Sequence, residues 1–220
     1  MLFSLLAVAL CGVAAWLSVR WYGARVDGLG RLKPFPWLSV GLAATLGLGA
    51  AVPAVRHERL ERRLSHVASK LADRKVSVRC QDAGGAFFDA GAELGYVKFR
   101  PDGSPTAEAL VKRTQCGDLA SYLASDKTAP TRAHVVAVHL LTHEAMHLRG
   151  ETAEAVAECE AMQRDARTAR LLGASPDAAA ALAREYWRAV YPRMPPAYTT
   201  PHCRAGGDLD EGLADAPWLP

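Results

Sequence analysis

Surplus charge is what this sequence most lacks. Its 220 residues carry 26 Lys and Arg against 23 Asp and Glu. Arg20, Arg25, Arg31 and Lys33 set against Asp27 account for the whole difference of three, so from Arg56 onward 22 bases face 22 acids. A nucleic-acid binder needs a cationic surface to displace counterions, and no net excess exists to form one; nucleic acid is excluded as a partner. Internal repeats and low-complexity tracts are also missing. With 50% hydrophobic and 22% charged residues, the chain is too apolar for a disordered tail and long enough for one globular domain with additions.

Charge is absent altogether from two stretches, Leu2 to Val19 and Trp37 to Val55. Each is close to the roughly 20 residues that cross the hydrocarbon core as a helix. The first could instead be a cleaved signal peptide. However, no basic residue precedes it, and Arg20, Trp21 and Tyr22 after it read as an interfacial anchor and not a small-residue cleavage site. Pro53 near the end of the second stretch is tolerable at a helix end. The expectation is a transmembrane hairpin in the lipid bilayer: helix 1 over 1–19, a basic loop over 20–36, and helix 2 over 37–55.

Two crossings put the N-terminus and the tail from Arg56 on the same side. The positive-inside rule divides: the loop carries four Lys or Arg, and the first twenty residues after the second span carry seven. Cysteines break the tie. Apart from Cys11, the four cysteines Cys80, Cys116, Cys159 and Cys203 all lie in the tail. An even number in a domain of this size suits two disulfides in an oxidising compartment. Of three possible pairings, Cys80 with Cys116 and Cys159 with Cys203 are favoured, because each ties an irregular segment to a nearby element. Four reduced thiols in a cytosolic domain are the alternative. The reading adopted is a cell-membrane protein with two spans and an extracytoplasmic C-terminal domain.

Within the tail, Leu60, Leu64, Val67 and Leu71 recur at helical spacing between charges, predicting an amphipathic juxtamembrane helix over 56–75 that continues from the membrane. The domain proper is expected over 76–220. Val76–Cys80, the Phe87 region and Tyr96–Arg100 read as a small sheet of two or three strands, with a turn at Pro101–Pro105. Helices are expected at about 107–123, at 131–148 after Pro130, at 151–172 between Gly150 and Gly173, and at 177–190 after Pro176. The residues after 199 show no periodicity and read as an extended tail held by Cys203.

One motif carries chemistry. His143, Glu144, Ala145, Met146 and His147 spell H-E-x-x-H inside a predicted helix. Histidines four apart share one helix face and can bind a single Zn²⁺, while the glutamate points to where a metal-bound water would lie. Coordination lowers the pKa of that water toward 7, and the glutamate can pass its proton to a leaving amine. A third protein ligand is needed. On a straight helix residue 154 would sit about 10 Å beyond His147, so the chain must turn. Gly150 supplies the break, and a second helix can bring Glu154 or Glu158 back over the histidines. These two are one turn apart, so one can bind metal while the other orients a histidine. His139 cannot reach an ion shared by His143 and His147, and reads as a core or supporting histidine.

His143 to Glu158 resembles the zincin metallopeptidases, and among them the gluzincins, whose third ligand is a glutamate on the helix after H-E-x-x-H. Glu154-Ala-Val-Ala-Glu158 is similar to their E-x-x-A-D segment, with Glu158 where Asp is usual. The resemblance implies metal binding by Glu154 and support by Glu158. It covers about 16 residues, and the spacer of six between His147 and Glu154 is shorter than in most gluzincins. Ala153 stands where metzincins carry a third histidine, which disfavours that group.

The expectation is therefore an α+β, helix-rich, zincin-like domain with a small sheet behind a two-helix transmembrane hairpin. His143, His147 and Glu154 (or Glu158) would hold Zn²⁺, and Glu144 would be the general base hydrolysing a peptide or protein substrate. A membrane-anchored binding or structural domain, with a non-catalytic metal or none, is the alternative. An intramembrane protease is disfavoured, since 133–148 is shorter than a span and carries four histidines.

Overall fold

The computed structural model describes residues 2–81 and 93–218. The chain divides into two compact units, Met1–Arg59 and Leu60–Pro220. The first contains α1 (Leu2–Gly23) and the start of α2 (Trp37–Leu71). Both helices are long and apolar enough to cross a membrane. Large apolar side chains such as Leu5, Val8, Val19, Leu38 and Leu42 stand exposed on them, a surface that water does not favour. Their mutual contact uses small residues. Ala7, Ala14 and Ala43 are buried, and a Cβ on Gly47 would lie 2.7 Å from Cys11 Sγ, so glycine is required for this close approach. α1 runs four residues beyond the charge-free stretch, and the connecting loop closes over Trp21, whose indole N–H donates to the carbonyls of Lys33 and Pro34.

α2 is one unbroken 35-residue helix containing Pro53, so the expected amphipathic segment is its continuation. Leu64, Val67 and Leu71 are buried in the core of the second unit. On the same part of the helix, Ser65 and Ser69 accept from the backbone N–H of Val78 and Val76, and Glu61 accepts from Cys80 N. These bonds tie α2 to β1 (Ser77–Cys80).

Three strands, β1, β2 (Gly95–Phe99) and β3 (Pro105–Val111), form a mixed sheet in the order β1-β3-β2. β3 runs parallel to β1 and antiparallel to β2. The expected strand near Phe87 lies outside the described residues. The helix expected at about 107–123 is corrected: its first part is the central strand β3, and helix begins only at Arg113, in α3 (Arg113–Ala124). Ala, Glu and Leu favour helix locally, but pairing on both sides and burial of Ala109 and Val111 override propensity.

α4 (Arg132–Arg149) runs through the centre, with all but a few of its residues buried. Thr131 caps it by accepting from His134 N. It stops at Gly150, whose φ of 126° only glycine adopts without strain. The helix expected at 151–172 is two helices, α5 (Glu154–Met162) and α6 (Asp165–Leu171). They break where Gln163 and Arg164 turn to the tail: Gln163 donates to Leu209 O and accepts from Glu211 N, while Arg164 forms a bidentate pair with Glu211. α7 (Pro176–Glu185) ends in a π turn at Tyr186–Val190 and two short 3₁₀ turns, Tyr191–Arg193 and Pro196–Tyr198, where the sequence predicts regular helix to Val190. Disulfides join Cys80 to Cys116 and Cys159 to Cys203, with Cα atoms 5.9 and 5.6 Å apart. The extended tail is held by the second of these and by a bidentate Arg170–Asp215 pair.

Candidate functional site

The four-residue spacing on α4 lays His139, His143 and His147 along one face, and the turn at Gly150 returns α5 across it. His143 Nε2 and His147 Nε2 lie 3.0 Å apart. Glu154 Oε2 stands 3.1 Å from the first and 3.4 Å from the second. The His147 ring is fixed from behind, where Nδ1 donates to the Glu151 carbonyl at 2.7 Å. That leaves the Nε2 lone pair facing the other two donors.

Glu158 is placed differently from Glu154. The Glu154 side chain is 43% exposed and that of Glu158 only 2%. Glu158 Oε2 lies on the opposite side of the His143 ring, 3.1 Å from Nδ1. It also accepts from His139 Nε2 at 3.0 Å, and Tyr186 donates its hydroxyl to Glu158 Oε1 at 2.6 Å. His139 Nδ1 meets Asp165 Oδ2 at 2.8 Å. Two groups of donors can thus hold a metal ion, His143/His147/Glu154 and His139/His143/Glu158. Burial would lower the His139 imidazolium, but Asp165 and Glu158 outweigh it and lift it to about 10. For Glu158, burial is outweighed by His139 and His143, which hold the carboxyl well below the usual range.

Glu144 is almost wholly buried, and its Oε2 has no hydrogen-bond partner among the described residues. Burial lifts its carboxyl to about 7, with His143 opposing and Glu154 assisting. Gly95 of β2 presses against it: a Cβ there would lie 2.9 Å from Glu144 Oε1. The three histidines, Glu144, Glu154, Glu158 and Tyr186 border a cavity of about 290 Å³. Its other walls are β2, an apolar side including Val136, Leu140, Val190 and Met194, and Tyr198. Burial and the nearby carboxylates raise the Tyr198 phenol, so it keeps its proton.

Every residue singled out in the motif therefore borders one cavity. Asp165 and Tyr186 join the cluster without a sequence signal. Asp165 is 26 residues from the His139 it meets, and Tyr186 is one of several tyrosines that read equally as packing. No family model, curated protein or solved structure matches this chain.

Proposed function

We propose that the protein is a membrane-anchored zinc metallopeptidase whose domain lies on the extracytoplasmic side. The observation that carries this reading is the convergence of His143 Nε2, His147 Nε2 and Glu154 Oε2 beside the buried Glu144, whose Oε2 has no partner among the described residues. Two imidazoles and a carboxylate are the donor set of an open zinc site. A purely structural site has no use for an unpaired buried glutamate, which costs stability. Bound zinc would lower the pKa of a coordinated water and polarise the substrate carbonyl.

The chain's own groups supply the rest. Glu144, raised into the neutral range by burial, takes a proton from the attacking water on a carboxylate oxygen and delivers it to the leaving nitrogen. Tyr198 offers an O–H donor to the developing oxyanion. β2 is an edge strand of the sheet among the described residues, and it walls the cavity. An extended peptide can add to such an edge. Among the described residues no Lys or Arg lines the cavity, so a terminal carboxylate finds no cation in that lining, which favours internal bonds of a peptide or protein. Two apolar helices support the anchor, and two disulfides suit an oxidising compartment.

The test is hydrolysis of an internally quenched peptide library by the full-length protein in detergent, with and without a chelator. Chelator-sensitive cleavage that falls ~10²-fold or more in Glu144→Gln, with zinc retained, is expected. A metal-loaded protein that cleaves nothing, or a Glu144→Gln variant with undiminished turnover, would replace this reading with an anchored structural domain.

A further inference from the structure

On one wall of the cavity, His139 is held between two carboxylates, and nothing in the hydrolytic scheme above uses it. We propose that Asp165, His139 and Tyr186 form a buried brace that holds Glu158 against His143 Nδ1 and so fixes which nitrogen of His143 faces the cavity. The inference rests on the metal site of the preceding reading, and it assigns the three as positioning residues.

For His143 Nε2 to present a lone pair beside His147 and Glu154, Nδ1 must carry the hydrogen. Among the described residues Nδ1 is buried without an aligned hydrogen-bond partner, and an acceptor within reach is Glu158 Oε2 at 3.1 Å. A carboxylate as buried as Glu158 is costly unless its lone pairs are filled. Tyr186 fills one oxygen and His139 Nε2 the other. With His139 donating from Nε2 to Glu158 and Nδ1 donating to an ionised Asp165 Oδ2 at 2.8 Å, both ring nitrogens carry hydrogen. The ring is also stacked face to face on Tyr186, with centroids 3.5 Å apart and planes 12° apart. Rotation of either ring is therefore blocked by packing and by hydrogen bonds at once.

The same geometry decides between two uses of the His139/His143/Glu158 donors. With both nitrogens of His139 donating to carboxylates, no lone pair is left for a second ion. The three residues act as one support, and the protein takes one metal ion per chain. Partners of this kind orient a ligating histidine and raise its donor strength, and their loss typically weakens metal binding ~10–100-fold.

The experiment uses full-length protein in detergent, stripped of metal and titrated with Co²⁺. Stoichiometry, Kd and the ligand-field absorption are followed for wild type, His139→Gln, Asp165→Asn and Tyr186→Phe, with near-UV circular dichroism as the check of folding. One cobalt per wild-type chain is expected, with a Kd raised ~10–100-fold in His139→Gln and Asp165→Asn and an altered absorption spectrum in both. Tyr186→Phe removes a single oxygen and is expected to shift both readouts in the same direction. If His139→Gln fails to fold, Tyr186→Phe decides. Variants that fold and keep the wild-type Kd and spectrum overturn the brace while leaving the metal site intact. Two cobalt ions per chain, the second lost in His139→Gln, overturn it in favour of a second metal centre. Wild type that binds no cobalt overturns the metallopeptidase reading itself, and the brace with it.

Discussion

Gly95→Ala tests how tightly Glu144 is held. The added methyl would lie 2.9 Å from Glu144 Oε1, 3.2 Å from its Cδ and 3.1 Å from the Leu110 carbonyl oxygen. Non-bonded heavy atoms of this kind rest at about 3.5 Å. The Leu110 carbonyl belongs to the paired backbone of β3, opposite Tyr96, so it yields less readily than a side chain. The carboxylate must retreat by about half an ångström. A displacement of 1 Å costs on the order of 10²-fold in rate, so half of that predicts a loss of about 10-fold in kcat. Overpacking adds about 1–3 kcal/mol of destabilisation. The three atoms nearest the added methyl belong to Glu144 and Leu110, so zinc content should be unchanged. Peptide turnover, zinc stoichiometry and the urea midpoint, measured together on wild type and Gly95→Ala, check this. Wild-type turnover in a folded, zinc-loaded Gly95→Ala protein would refute the claim that the Glu144 position sets the rate.

Two further outcomes concern the frame that carries the site. Replacing Cys159 and Cys203 by serine opens a loop with a sequence separation of 44, and chain entropy predicts a loss of about 4 kcal/mol in unfolding free energy, read by denaturant titration against oxidised wild type. The tail should also loosen in acid. Arg164, against the opposing effect of burial, holds the Glu211 carboxyl below its usual range, and Arg170 does the same for Asp215. A carboxyl with a depressed folded pKa adds stability above its unfolded pKa of about 4 and loses it as pH falls through the folded value. Hydrogen-exchange protection over 204–218, each rate taken relative to the intrinsic rate at the same pH, should therefore be high at pH 7 and lower below pH 4, and an Arg170→Gln variant should narrow the difference.

Some of this architecture was legible because single residues carry the signal. Two charge-free runs announce α1 and the start of α2. Gly150 marks the end of α4 by a backbone angle that other residues resist, and the spacing of His143, Glu144 and His147 places three functional groups by helix geometry alone. The two disulfides follow the pairing favoured from the sequence. What escaped depends on distant partners. Pro105–Val111 has helical composition and becomes a strand because β1 and β2 flank it. The break between α5 and α6 is made by Gln163 and Arg164 reaching residues 209–211, and no local pattern encodes that. The contrast between Glu154 on the cavity and Glu158 behind His143 likewise comes from the tertiary turn after Gly150, since both are one helical turn apart on α5. Asp165 and Tyr186 enter the cluster only once α6 and the π turn fold against α4.

The central claim is that His143, His147 and Glu154 hold one zinc ion. The most direct measurement is the zinc content of full-length protein purified under metal-replete conditions, wild type beside His147→Ala, Glu154→Ala and Glu158→Ala. One zinc per wild-type chain, lost with His147 and with Glu154 and retained at lower affinity without Glu158, is the predicted result. Wild type without zinc, or zinc that survives Glu154→Ala and disappears with Glu158→Ala, would contradict it.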